Sequence, residues 1–206
     1  MKNILLLFIL VFLSCNDKTE DLKRQKESIA IIQTLIDNQE MALTKDIYNN
    51  EELPICLNLK KIKIDTKCLA KTTITNEVEI IKFKERSFIS IGNVCIEKIY
   101  RSNPINDSFF LKSDSLNIAQ QNETFKTYTI PKNITKTFKT VELSKKLKII
   151  EKYVQFSIPI FSNNYNKAYI EFDKHTNNQN SYGNSIYLEK IYGKWKIKYI
   201  DNNWAI

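Results

Sequence analysis

The first fifty residues carry two hydrophobic patterns in succession. Residues 4 to 13 are apolar without interruption. From residue 21 to residue 48 the apolar positions instead recur at roughly helical spacing among Lys, Gln and Glu, at Leu22, Ile29, Ile32, Leu35, Ile36 and Leu43. This second pattern predicts an amphipathic α-helix whose apolar face packs on the rest of the domain.

The pattern changes after Pro54 and becomes rich in β-branched and aromatic residues. It predicts strands over residues 55–64, 78–83, 88–91 and 94–100. Ser113 and Asp114 stand ahead of the apolar positions Leu116 and Ile118, which indicates the start of a short second helix. Beyond it we expect a long loop over residues 122–140, with one strand at 128–130, and a helical turn over 144–152.

The last fifty residues alternate most clearly. They predict strands over 153–161, 167–173, 185–191 and 194–200, with a tight turn at Tyr192-Gly193, and therefore an antiparallel meander. Trp195 and Trp204 are expected to close its core, because an indole buries a large apolar area while its N–H reaches a partner. The predicted fold class is α+β, with the N-terminal helix and the short second helix packed on a curved antiparallel sheet.

The first apolar run has the order of a secretory signal. Lys2 precedes it, and the small residue Ser14 stands immediately before Cys15. About 10 apolar residues are too few to cross a bilayer, which takes about 20 in a helix. We therefore expect the segment to be cleaved. Residues 12–15, Phe-Leu-Ser-Cys, resemble a lipobox, although Phe12 stands where leucine is usual.

The resemblance to a lipobox implies that Cys15 is lipidated and becomes the first residue of the mature chain. We then expect a signal peptide over 1–14, a lipidated cysteine and polar tether over 15–26, and a single α+β domain over 27–206. The protein would lie in the bacterial cell envelope, anchored to the membrane through its lipid. Asn16 is not the Asp that retains many such proteins in an inner membrane, so an outer membrane is favoured. Its periplasmic or surface face stays open.

Composition narrows the function classes. The chain has 43% hydrophobic and 11% aromatic residues, enough for a packed core, and only 3 Gly, which argues against glycine-rich phosphate loops. Its net charge of +8 comes from 31 basic and 23 acidic residues. The lysines alternate with apolar residues over 60–63 and 194–198, which is typical of a solvated strand face and does not indicate nucleic-acid binding.

Three cysteines follow Cys15. Disulfides persist in the compartment to which an exported protein is delivered. Cys56 and Cys68 flank a predicted strand, so a bridge between them is one possible pairing. It would leave Cys95 unpaired. Spacing alone does not choose the pair. Cys95 lies in an apolar strand pattern and is expected to be a small buried residue rather than a nucleophile.

Candidate chemistry is sparse. His175 is the only histidine, which excludes a multi-histidine metal site, and we expect it to be a surface residue. No cofactor is predicted. Acidic pairs such as Glu51-Glu52 and Glu77/Glu79 could serve glycoside hydrolysis only if two carboxylates face one cleft about 5 to 10 Å apart. The default interpretation is that these carboxylates are exposed.

The last fifty residues also carry a recognisable pattern: Phe156-Ser-Ile-Pro-Ile-Phe161, Gly183, Leu188-Glu-Lys190 and Gly193-Lys-Trp-Lys-Ile197, with Trp204 near the end. It resembles the C-terminal pattern of uncharacterised lipoproteins and secreted proteins of bacteroidete-type bacteria. Upstream, Phe109, Asp114 and Gln120 or Gln121 are similar to a helix of that group. The resemblance implies the fold, but no biochemical activity can be inferred from it.

Asp114 and Gln121 are candidate structural or groove residues. We expect them to cap the helix and to anchor a loop backbone, or else to line a groove. The leading functional hypothesis is a non-enzymatic binding or interaction module with a protein or glycan partner. The alternatives are a self-protection protein of the immunity or inhibitor kind and, third, a carboxylate-dependent hydrolase.

Overall fold

The computed structural model describes residues 2–38, 41–46, 50–66, 93–100, 108–124, 128–142, 152–176 and 182–205. A long N-terminal helix, α1 (Lys2–Asp37), lies on one face of a mixed β-sheet, and two short helices, α2 (Ile96–Tyr100) and α3 (Ser115–Thr124), lie on the other. A 3-10 turn at Lys112–Asp114 leads into α3. The predicted α+β class and short second helix are confirmed.

The large sheet has seven strands among the described residues, in the order β11-β10-β9-β7-β3-β6, with β8 paired to β9. β3 is parallel to β6 and β7, and the other pairs are antiparallel. Two small sheets pair β1 with β2 and β4 with β5. The strands are β1 Lys45–Asp46, β2 Glu51–Glu52, β3 Ile55–Cys56, β4 Lys63–Asp65, β5 Asn93–Cys95, β6 Thr140–Val141, β7 Tyr153–Phe156, β8 Ile160–Phe161, β9 Lys167–His175, β10 Tyr182–Ile191 and β11 Lys194–Ala205.

The predicted C-terminal meander is confirmed in β9, β10 and β11. Tyr192 and Gly193 form the turn between the last two strands with φ of 49° and 76°. Positive φ at both central residues is the geometry of a hairpin turn whose twist matches the strands. The strand predicted over 153–161 divides into β7 and β8, with Pro159 between them, because proline has no N–H to donate to a ladder.

Helix α1 differs from the prediction at both ends. It ends at Asp37, not at residue 48, and the side chain of Asn38 accepts a hydrogen bond from the Met41 amide (3.3 Å). Such local side-chain bonding competes with helix formation. At the other end the helix continues through residues 15–26, where we expected a tether. The tether prediction is wrong from Glu20 onward, because Glu20 and Arg24 contact the domain.

Other predicted strands are shorter or absent. Residues 55–64 contribute β3, the start of β4 and single bridges at Asn58 and Lys60, and the strand at 128–130 is reduced to a bridge at Thr129. Residues 96–100 form α2 instead of continuing a strand, because Ile96 and Ile99 suit a helical period equally well. The strands predicted at 78–83 and 88–91 and the turn at 144–150 lie outside the described residues.

The bridge between Cys56 and Cys68, one of the pairings that the spacing left open, is contradicted by the structure. Cys56 is buried and keeps its thiol, which donates to the Asn58 carbonyl (3.5 Å). Cys95, which that pairing would leave unpaired, is disulfide-bonded, and Cys68 lies outside the described residues. Spacing along the chain carries no information on which segments become neighbours, and for that reason it could not choose the pair.

Both faces of the sheet are covered. All seven interior residues of β9 are buried, so side chains of both orientations are removed from water. Ile170 and Phe172 belong to the cluster beneath α1, whereas Tyr169 packs in a second cluster with Phe109 and Ile118. Below, these are called the α1 face and the opposite face.

Candidate functional site

The face of α1 that packs on the sheet is polar over residues 20–28. Glu20 accepts a hydrogen bond from the Tyr165 hydroxyl (2.6 Å), and the Lys23 ammonium lies 4.2 Å from the centre of the Tyr165 ring. Burial and the bond to Glu20 raise the pKa of Tyr165 to about 12. Cys15 precedes Glu20 by five positions, and its side chain lies outside the described part of the chain.

The second polar contact of α1 involves a predicted core residue. Trp195 is 5% exposed and packs near Phe161, with ring centres 6.0 Å apart. Its indole N–H donates to Glu27 (2.8 Å), which also forms an ion pair with Lys190 (2.6 Å). Trp195 therefore has the buried ring and the hydrogen-bonded N–H that were expected. The side chain of Trp204 is not described; its backbone pairs with Gly183.

Asp114 and Gln121 make the contacts that the capping interpretation predicts. Asp114 is 3% exposed and accepts hydrogen bonds from the amides of Leu111 (3.0 Å) and Asn163 (2.9 Å). The Gln121 amide group pairs with the Phe161 backbone, donating to its carbonyl (2.6 Å) and accepting from its N–H (2.8 Å). Both side chains thus attach the α3 region to the β7–β9 part of the sheet, and neither lines either of the two cavities described below.

Two cavities flank the C-terminal end of α1, and Asn38 lines both. The first, of about 640 Å³, lies between the helix end and the β1–β2 hairpin; Lys45, Glu51 and Phe138 are among its lining residues. The second, of about 590 Å³, lies between α1 and the turn of the β10–β11 hairpin, and is lined by Gln33, Thr34, Asp37, Asn38, Gly193, Lys194, Trp195 and Ala30. Tyr192, in that turn, is 99% exposed.

A cluster of buried polar groups lies on the opposite face, in the middle of the sheet. Glu171 and Asp173 are only 6% and 3% exposed. The Tyr169 hydroxyl donates to Glu171 (3.0 Å) and lies 2.7 Å from the Ser185 hydroxyl, while Lys60 forms an ion pair with Asp173 (3.0 Å). We call these five residues the carboxylate cluster.

The surroundings of the carboxylate cluster shift the pKa values of two of its groups upward. Burial, followed by the nearby charge of Asp173, raises the pKa of Glu171 above its usual value, although the Tyr169 hydrogen bond and Lys60 oppose the shift. Burial also raises the pKa of Tyr169 well above its usual value. Glu171 and Asp173 are two residues apart on one strand, so their Cα atoms are about 6.6 Å apart. A raised pKa beside a paired carboxylate is the arrangement that general acid–base chemistry uses.

His175 and Cys56 do not complete a nucleophilic site. The His175 ring stacks on Tyr153 with centres 4.5 Å apart, and burial lowers its pKa. It is therefore more buried than the surface residue we expected. Cys56 lies on β3, and β7 separates that strand from β9, which carries His175. Two strand spacings place the backbones about 9.6 Å apart, too far for a direct thiol–imidazole hydrogen bond.

Sequence reasoning missed Glu20, Glu27, Glu171 and Asp173. Glu20 lies in the segment taken for a tether, and Glu27 follows directly after it. Their signal is the spacing of Glu20, Arg24, Glu27 and Ser28, which continues the stripe of Ile31 and Leu35 on one helix face. Glu171 and Asp173 were overlooked because a half-exposed strand would place them in water. They are buried because β9 lies inside the sheet, between β10 and β7, and no sequence signal marks that position.

Among the described residues no group of three or more His, Cys, Asp or Glu side chains could hold a metal ion. A membrane-spanning helix, one long and apolar enough to cross a bilayer, is likewise not found in the part of the chain that was searched. The chain matches no protein-family model, no curated protein and no solved structure.

Proposed function

We propose that the protein is a lipid-anchored, non-enzymatic binding module of the bacterial cell envelope, held on the outer membrane through Cys15. The observation that carries the proposal is the course of α1. One helix contains the lipobox-like sequence, packs on the sheet from Glu20 onward and ends at Asp37, next to Asn38, which lines both cavities. At 1.5 Å per residue, about 26 Å of helix separates Glu20 from Asp37.

The two cavities support a binding role through their chemistry. Their linings combine amide, hydroxyl and carboxylate groups with the aromatic rings of Trp195 and Phe138. Concave sites of this size with several convergent polar groups suit part of a glycan or an extended peptide. Tyr192 precedes Gly193, which lines the second cavity, and its ring is fully exposed. Aromatic residues are enriched where proteins bind partners.

The lipid anchor is tested by metabolic labelling with a fatty-acid analogue in the native bacterium. The Cys15→Ala variant should carry no label, because lipidation requires that thiol. A variant that is still labelled refutes the lipobox assignment.

The binding role is tested by capture from envelope extract with the lipidated protein as bait. We expect a specific protein or glycan that is retained by the wild type and by Lys132→Ala, a change at an exposed side chain outside both cavities. Capture should fall about tenfold with Gln33→Ala combined with Tyr192→Ala, the scale at which one or two interface contacts contribute. Recovery of no specific partner would refute the proposed binding role.

A carboxylate-dependent hydrolase is the second candidate, and the carboxylate cluster is the observation that favours it. Glu171 would act as the acid because its pKa is raised, with Asp173 as the second carboxylate. Their burial weighs against the role, since substrate must reach both groups. Hydrolysis of an envelope glycan that is lost in Glu171→Gln, with folding intact, would favour this candidate over the binding module. The self-protection alternative stays a prediction from sequence.

A further inference from the structure

Strand β11 forms one edge of the large sheet. It is 12 residues long and pairs with β10 on one side. On its other side, no strand among the described residues pairs with it. The strand at the opposite edge, β6, has only two residues. A long edge strand carries backbone groups on which another chain can add as a further strand.

The register shows which backbone groups of β11 point outward. The Lys190 N–H donates to the Asn166 carbonyl, just before β9, at 2.7 Å, so the backbone of Lys190 faces away from β11. Lys190 lies opposite Trp195, and this pair therefore does not share hydrogen bonds. The N–H and C=O of Trp195 consequently point away from the sheet. By the same alternation along β10, the backbone groups of Ile197 and Ile200 also point outward.

Three exposed lysines of β11 lie on one face of this edge. Lys194 and Lys196 are two positions apart, so their side chains share a face. Lys196 is in register with Glu189 of β10, and the Lys198 ammonium lies 3.9 Å from the Glu189 carboxylate. On the other side of Glu189, Lys167 of β9 is in register with it, and the Lys167 ammonium bonds a backbone carbonyl. Four lysines therefore surround one glutamate.

Few carboxylates are available to balance these lysines along β11. Glu189 is only partly exposed. Asp201, the next acidic residue of the strand, is half-buried and lies in register with Ser185, about 10 Å beyond Lys198. The edge thus carries an excess of positive charge over residues 194–198. Carboxylates on an adjacent strand would be attracted to it.

The other face of the edge is apolar and incompletely covered. Ile170, Ile186 and Ile200 are in register across β9, β10 and β11. The first two are fully buried on the α1 face, whereas Ile200 is 45% exposed. A further strand with an apolar side chain beside Ile200 would extend this row and remove that surface from water.

We infer that the outer edge of β11, over residues 194–200, is a docking site for an extended acidic segment of a partner protein, which adds to the sheet as a further strand. The backbone of the segment bonds the outward groups of Trp195, Ile197 and Ile200. Its carboxylates face the three lysines, and the alternating apolar side chains lie on the α1 face. The inference rests on the proposed binding role, for which it names a class of partner, and does not depend on a lipid at Cys15.

The edge discriminates between possible occupants. Lysines and a β-bulge, present here at Lys198, are devices by which an edge strand avoids pairing with an identical edge. Antiparallel pairing of two copies centred on Lys196 would place Lys194 opposite Lys198, and like charges in that position are destabilising. A strand with Asp or Glu at these positions is attracted instead. An anionic glycan would use the lysines but not the outward backbone groups, so the edge favours a peptide.

The test uses the full-length protein, purified in detergent from the native bacterium, and a fluorescent peptide of four Glu-Val repeats as the probe. Fluorescence anisotropy at low salt measures the Kd. Two further peptides carry N-methyl groups on every valine or on every glutamate. The N–H groups of alternate residues of an added strand point to β11. One methylated peptide should therefore bind at least about tenfold more weakly, and the other about as tightly as the unmodified peptide.

Charge is tested with the Lys194→Gln/Lys196→Gln variant, which changes two exposed side chains. It should bind the unmodified peptide about fivefold more weakly, because exposed charge pairs contribute modestly. The difference should shrink in 1 M salt, where the Debye length falls to about 3 Å. The matched control, Lys136→Gln/Lys139→Gln, removes the same charge from exposed positions just before β6, at the other edge of the sheet, and should leave the Kd unchanged.

Several outcomes would overturn the inference. Absence of binding up to about 1 mM peptide does so. Equal binding of the two methylated peptides excludes strand addition, and competition by dextran sulfate in that case identifies an anionic polymer as the occupant. A protein dimer that excludes the peptide identifies a second copy. Each of these results leaves the proposed function standing if capture from envelope extract still recovers a specific partner, whereas loss of that capture refutes the proposed function itself.

Discussion

The two faces of the large sheet bury different kinds of side chain from the same strands. On β9, Ile170 and Phe172 pack beneath α1 in an apolar cluster, whereas Glu171 and Asp173, which alternate with them along the strand, are buried on the opposite face. The polar contacts of the α1 face involve the helix itself, such as Glu20 with Tyr165. The carboxylate cluster of the opposite face instead has Glu171, Asp173, Tyr169 and Ser185 on the neighbouring strands β9 and β10.

The difference separates stability from chemistry. Apolar side chains stabilise a fold by leaving water and need no exact partner. Buried carboxylates lose hydration that is recovered only through well-placed donors, and apolar residues of similar volume are often as stabilising. The burial of apolar side chains on the α1 face is therefore explained by their contribution to stability. The burial of the carboxylate cluster is not, so we expect the cluster to serve specificity or function.

The largest effect is expected on the α1 face. Phe172→Ala removes a fully buried ring and should lower the free energy of unfolding by about 3 to 5 kcal/mol, through lost burial and the cavity that remains. Urea denaturation monitored by circular dichroism measures it. Lys196→Ala, on an exposed position of β11, should change stability by less than about 0.5 kcal/mol. A small loss at Phe172 would mean that this face is not the main core.

On the opposite face, Lys60→Met should destabilise the protein by about 2 to 3 kcal/mol, because it leaves Asp173 buried without its cation. Adding Asp173→Leu removes the unpaired charge and should recover most of that loss. The double variant thus tests whether the pair is structurally dispensable. Failure of the second change to rescue the first would show that Asp173 has further partners on which the fold depends.

A smaller effect is expected where the α1 face is polar. Tyr165→Phe removes the hydrogen bond to Glu20 and should cost about 1 kcal/mol. Hydrogen exchange of the amides near Glu20 should accelerate, since this bond attaches α1 to the β8–β9 turn at that position. Tyr192→Phe, a fully exposed control, should leave exchange unchanged. Unaltered exchange in Tyr165→Phe would show that other contacts hold this part of the helix.

The smallest effect depends on pH. Because the folded protein raises the pKa of Glu171 above its ordinary value of 4.5, the folded state binds this proton more tightly than the unfolded state. The native state therefore loses stability as pH rises from the pKa of Glu171 in the unfolded state to its higher pKa in the folded state. Glu171→Gln should be more stable than the wild type at neutral pH, with the gain vanishing below the unfolded-state pKa. Denaturation across pH checks this, with Glu189→Gln as the surface control; a gain that persists at low pH contradicts it.

The parts of the fold governed by local chemistry were predictable. The Tyr192-Gly193 turn fixes the last hairpin, and alternation identifies the strands on either side of it. Asp114 lies in the 3-10 turn that leads into the second helix, and Gln121 lies seven positions later within that helix. Their capping and anchoring contacts follow from residue types that bond backbone groups.

The parts governed by tertiary neighbours were not predictable from the chain. Polar composition between residues 20 and 28 suggested solvent, but Tyr165 and Trp195, more than a hundred positions away, supply the partners. The alternation of residue types along β9 suggested that one face of this strand is exposed to solvent, but α2 and α3 cover that face. The cysteine pairing could not be chosen for the same reason, since sequence does not state which strands become neighbours. Each error concerns polar groups whose partners are distant.

The hydrogen bond from Trp195 to Glu27 joins positions 168 residues apart. A ribosome delivers α1 first and the strands that bury its apolar stripe last, so Ile31 and Leu35 have no native partner on β9 to β11 until synthesis is almost complete. The domain consequently has little opportunity to fold while it is being made. A chain truncated before the final hairpin would leave the apolar stripe of α1 exposed to other molecules. We therefore expect the protein to need its last fifty residues in order to stay soluble.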